Sequence, residues 1–76
     1  MADIILDTII NDNIRIYIEY TNIYKLNYIN RYYQYILTYD SYTYNKAYDE
    51  YIKIRDNIII LENLSQADFL NWITNN

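Results

Sequence analysis

Hydrophobic positions dominate one uninterrupted stretch, Asn13 to Asp40, which contains eight of the twelve tyrosines and neither glycine nor proline. Wound at 3.6 residues per turn, it places Tyr17, Tyr24, Tyr28, Tyr32, Tyr35 and Tyr39 on one sector, with Ile14, Ile18, Ile29 and Ile36 beside it. Glu19, Asn27, Asn30, Arg31, Gln34 and Thr38 fall on the far side, and Ile16 and Ile23 do not fit the pattern. Residues seven apart recur as like pairs: Tyr17 and Tyr24, Tyr28 and Tyr35, Tyr32 and Tyr39, Ile29 and Ile36. That spacing predicts a long amphipathic helix that meets a partner along its length. A strand is the alternative, because Ile14, Ile16, Ile18 and Tyr20 alternate with Arg15, Glu19 and Thr21, and Ile and Tyr favour sheets. Against it stands the absence of any Asn-Gly, Asp-Gly or Gly-X pair to close a tight hairpin.

The flanking segments follow the same periodicity. Asp3 is placed to cap a short helix over residues 4–10, and Asn11-Asp12-Asn13 breaks it through local side-chain to backbone bonding. A second break at 40–43 offers Asp40 or Ser41 as a cap for a helix over 44–62. Tyr44, Ala47, Tyr48, Tyr51, Ile54, Ile58 and Leu61 form its inner sector, and an Asp49–Lys53 pair supports its outer one. Ser65-Gln66-Ala67-Asp68 has the spacing of a capping box, with Leu64 and Phe69 as a hydrophobic staple. It predicts a last helix over 66–74 that buries Phe69, Leu70 and Ile73 and leaves Trp72 half exposed. The expected fold is therefore all-α. It is a small helical bundle in one domain, residues 1–76, with two long antiparallel helices and a short one at each end. The alternative is α+β.

Composition narrows the chemistry. Cysteine and histidine are absent, which removes the best nucleophile and the commonest general base. Ser41 and Ser65 sit where caps are needed, and Asp49 and Glu50 are adjacent, so they point to different parts of a helix surface. No thiolate, imidazole, calcium loop or glycine-rich phosphate loop is present. The expectation is no enzyme, no metal and no cofactor. No apolar run approaches the length that spans a bilayer, and Met1-Ala2-Asp3 does not begin like a signal peptide. A cytoplasmic location without membrane contact is expected.

The net charge is −4, and six bases are interleaved with ten acids. Arg15, Lys25 and Arg31 beside tyrosines could stack bases and hold phosphates, but an acidic chain repels a nucleic-acid backbone on average. Nucleic-acid binding is therefore the third-ranked expectation. Before Arg15 the only charges are Asp3, Asp7 and Asp12; after Arg55 they are Asp56, Glu62 and Asp68. If the two ends lie together, they form a negative surface that steers toward a basic partner.

Twelve tyrosines exceed what the rim of so small a core requires, and tyrosine is a residue of interfaces. The candidate protein-binding residues are Tyr17, Tyr24, Tyr28, Tyr32, Tyr35, Tyr39, Asp56, Glu62 and Asp68. The abundance of Ile, Asn and Tyr is that of AT-rich coding DNA, although the same bias should raise Lys and Phe above the three and one present. In size, acidity and AT-rich composition the chain resembles the small phage proteins that inhibit bacterial defence systems, anti-CRISPR proteins among them. The resemblance is compositional and assigns no residue. It implies a non-catalytic inhibitor that blocks a host protein sterically, through a basic surface of that host protein. A homodimeric structural subunit, assembled through the Tyr17, Tyr24, Tyr28 and Tyr35 sector, is the alternative.

Overall fold

A computed structural model describes residues 2–76 and overturns the all-α expectation. The chain forms an antiparallel meander of four strands followed by helices that pack on one face of the sheet. The strands are β1 (Asp3–Asn11), β2 (Ile14–Tyr20), β3 (Tyr24–Asn30) and β4 (Tyr35–Ser41), in spatial order β1-β2-β3-β4. The helices are α1 (Tyr44–Asp56), the single turn α2 (Ile58–Leu61) and α3 (Gln66–Asn75). The fold is α+β. Among the described residues no helix is long and apolar enough to cross a membrane.

The segment read as one tyrosine helix is β2, β3 and β4. Ile14, Ile16 and Ile18, every second residue of β2, are fully buried against the helices, while Arg15, Tyr17 and Glu19 face away. A period of two is a strand period, and it leaves no residue misplaced. The seven-residue repeat has another origin. Ile29 and Ile36 do meet, but as directly opposed partners across the β3–β4 hairpin. Tyr17 and Tyr24 belong to different strands, and their side chains lie on opposite faces of the sheet.

Three hairpins close without glycine. In the first, Asn11 Oδ1 accepts from the amides of Asn13 at 2.8 Å and Ile14 at 3.0 Å, an Asx turn that does the work of a tight backbone turn. In the second, the Thr21 amide donates to the Ile23 carbonyl at 3.3 Å. In the third, Gln34 adopts a left-handed conformation with φ 57°.

The helical layer follows the sequence reading more closely. Thr43 caps α1, accepting from the Lys46 amide at 3.4 Å, and Ser41 locks the preceding turn by bonding both backbone groups of Thr43. Asn57 interrupts the helix expected over 44–62 by donating its side-chain amide to the Lys53 carbonyl at 2.8 Å. Ser65 accepts from the Asp68 amide at 3.4 Å, which is the N-cap half of the expected capping box. Lys53 donates to the Ile73 carbonyl at 3.2 Å, tying α1 to α3, and does not pair with Asp49.

The core lies between sheet and helices: Ile14, Ile16, Ile18, Leu26, Tyr28 and Tyr35 below, and Ala47, Tyr51, Ile54, Leu61 and Phe69 above. Phe69 stacks on Tyr28 with ring centroids 4.8 Å apart and meets Tyr35 edge-on at 6.4 Å. Asn30, fully buried, donates to the Tyr28 hydroxyl and the Glu62 carbonyl and accepts from the Tyr33 amide, so its burial leaves no bond unmade.

Candidate binding surfaces

Helices cover one face of the sheet and leave the other open. Register puts three rows of side chains across that open face. The first is Ile9, Arg15, Ile29 and Ile36; the second Asp7, Tyr17, Asn27 and Thr38; the third Ile4, Glu19, Lys25 and Asp40. The rows differ in chemistry. Ile9 is 69% exposed, Ile36 60% and Ile4 52%, with Ile29 half-buried between the first two. Exposed aliphatic side chains are thus part of the uncovered face.

The polar groups around it are fixed. Arg15 donates to both carboxylate oxygens of Asp7, each at 2.8 Å, and lies 4.2 Å over the centroid of the Tyr17 ring. The hydrogen bond from Arg15 holds the Asp7 carboxyl below its ordinary pKa, and the same bond raises that of the guanidinium. Asn27 donates to Glu19 Oε1 at 3.3 Å and accepts from the Thr38 hydroxyl at 3.2 Å. These bonds cross the strands, so the face presents an ordered mixture of aliphatic, aromatic and charged groups.

The expected tyrosine sector is not one surface. Tyr17 lies on the open face, while Tyr24, Tyr28, Tyr35 and Tyr39 lie on the helix-facing side, and Tyr32 sits in the turn before β4. Tyr28 and Tyr35 are 1% and 9% exposed, core residues that no partner reaches in this fold. Burial raises both hydroxyl pKa values above the ordinary tyrosine value. Tyr24 and Tyr39 line the rim, Tyr24 edge-on to Tyr44 with centroids 5.8 Å apart. A dimer built through Tyr17, Tyr24, Tyr28 and Tyr35 together is incompatible with this placement.

The acids are also dispersed. Asp56 pairs with Arg55 at 3.2 Å, Glu62 follows α2, and Asp68 lies in the first turn of α3, where it complements the helix dipole. Phe69 anchors α3 over β3 and β4, whereas Asp3 and Asp7 belong to β1 at the opposite edge of the sheet. Asp3 and Asp7 therefore stand apart from Asp68. Of the bases considered for nucleic acid, Arg15 is paired with Asp7 and Arg31 donates to the Asp12 carbonyl at 3.3 Å.

The helical reading misses the isoleucines of the open face. Ile9 and Ile36 fall on helix faces in it, and the signal for Ile36 is the two-residue alternation that puts it opposite to Tyr35 and Leu37. Glu50 is half-buried beside an apolar cleft between α1, α3 and β4. Only the fold brings that cleft together. Among the described residues no three carboxylates converge as a metal site. Comparison with protein-family models, curated proteins and solved structures finds no match for this chain.

Proposed function

We propose that the protein is a non-catalytic binding protein that works by laying its open sheet face on the surface of another protein. The observation that supports this reading is the first row of the open face, in which Ile9, Ile29 and Ile36 stand uncovered by any element of the chain and Arg15, paired with Asp7, sits between Ile9 and Ile29. A monomer gains nothing from exposing such a row, and an interface gains the free energy of burying it. Steric blocking of a host protein is the form of this activity that the composition favours. The net charge of −4 speeds encounter with a basic surface. Self-assembly through the same row is the second reading, because a two-fold axis would pack its isoleucines against themselves.

Affinity capture from a bacterial lysate tests it, with the chain, the Ile9→Lys/Ile36→Lys double variant and Ile59→Lys as a control on an 80% exposed helical residue. The expected result is one stoichiometric protein held by the chain and the control and lost by the double variant, a loss of at least about 2 kcal/mol for a clustered hot spot. Light scattering at twice 9.4 kDa without a captured protein would favour self-assembly. A 9.4 kDa species that captures nothing would sink both readings.

A further inference from the structure

The helices leave an apolar cleft of about 150 Å³ at the outer edge of the sheet, bounded by Leu37, Ile54, Phe69, Leu70 and Ile73, with Glu50 at its rim. Pockets for cofactors and drug-sized ligands run to about 300–1,000 Å³, whereas a cavity of about 150 Å³ takes a molecule the size of benzene. The cleft is the size of one bulky side chain. Glu50 is half-buried and enters neither ion pair among the described residues. A carboxylate held at an apolar mouth without a cation of its own is a handle for one supplied from outside.

Beside the cleft runs the free edge of β4. This strand is last in the sheet and pairs with β3 over seven consecutive positions without a bulge. No backbone bond from a helix or loop reaches its outer side among the described residues. It carries no lysine or proline of the kind that blunts edges. The other edge, β1, is interrupted by two register shifts in nine residues, which bend it away from regular pairing.

We propose that the β4 edge and the cleft together bind an extended segment of another protein, which adds as a fifth strand and carries, two residues apart, a bulky apolar side chain and a Lys or Arg. The two-residue period of a strand turns both side chains toward the helical layer. The apolar one fills the cleft, and the cation reaches Glu50. Main-chain bonds to β4 supply the docking, and the two side chains supply the selectivity. The other free edge of a second copy is a poor occupant, because β1 contains Asp3 and Asp7 and no base. This inference shares the premise of a binding protein but uses a different surface, so the two fail separately.

The test is an oriented library of acetylated and amidated hexapeptides, threonine throughout except for two varied positions separated by one residue, selected on the immobilised full chain. Selection of Leu, Ile, Met or Phe at one varied position, the first preference, and of Lys or Arg at the other, the second preference, is expected. Glu50→Gln should abolish the second preference and keep the first. N-methylation of alternate amides in the best peptide should weaken it about tenfold in one set and little in the other, because only one set faces β4. No selection at either position, a cation preference that survives Glu50→Gln, or equal losses from both methylated sets would overturn the inference. A negative library with capture through the open face would overturn it and leave the proposed function standing.

Discussion

At the residue scale, tyrosine serves opposite ends in this chain. Tyr28 and Tyr35 bury their rings, and their hydroxyls find partners inside. Tyr35 donates to the Leu64 carbonyl at 3.0 Å, and the Tyr28 hydroxyl accepts from Asn30 at 3.2 Å. Because burial raises both pKa values, the folded state holds these protons more tightly than the unfolded chain does. Their contribution is complete below the ordinary tyrosine pKa of about 10 and is lost as pH rises through the higher folded values. Spectrophotometric titration should therefore show Tyr28 and Tyr35 ionising only as the chain unfolds in alkali. Ordinary ionisation of all twelve with the fold intact would contradict that. Gln34 is the other informative residue. Its left-handed φ of 57° carries a steric cost that glycine avoids, offset in part by glycine's greater freedom when unfolded. Gln34→Gly should raise stability by about 0.5–1 kcal/mol in urea denaturation, and a loss of stability would show that the Gln34 side chain contributes more than its backbone costs.

At the scale of elements, the C-terminal helices were legible and the sheet was not, for a physical reason. Ser65 and Asp68 sit three apart whatever the rest of the chain does, and Ala47, Tyr51, Ile54 and Leu61 of the expected inner sector are buried, whereas Tyr44 and Tyr48 of the same sector are exposed. Leu70 departs from expectation, remaining 46% exposed beside the cleft. In the first 41 residues, tyrosine and isoleucine are so dense that helical and strand periods both find apolar partners. The alternation of Ile14, Ile16, Ile18 and Tyr20 held the answer, and the missing glycines argued against it wrongly. Asn11 and Gln34 make the turns that glycine was thought necessary to make. The open face and the cleft could not be read at all, because each is assembled from separate elements. α3 is held to the sheet through Phe69, which packs on both Tyr28 and Tyr35. Phe69→Ala should cost about 3–5 kcal/mol in chemical denaturation, and a cost under about 1 kcal/mol would show that α3 is not bound to the sheet through that ring.

At the scale of the whole molecule, two layers cannot cover three surfaces. Helices on one face leave the other face and both edges to be managed by sequence alone. The β1 edge is managed by its bulges, and the open face is half managed by Arg15, Asp7, Glu19, Asn27 and Thr38. What stays unmanaged is the β4 edge and the isoleucine row, and the proposed function assigns the row a protein partner. Hydroxyl-radical footprinting of the chain alone and in complex with its captured protein tests that assignment most directly. Labelling of Ile9, Ile36 and Tyr17 should fall several-fold in the complex, while Tyr42, 89% exposed beyond β4, and Ile59 on α2 should label as before. Unchanged labelling at Ile9 and Ile36, with protection at Tyr42 or Ile59, would place the partner elsewhere and contradict the account.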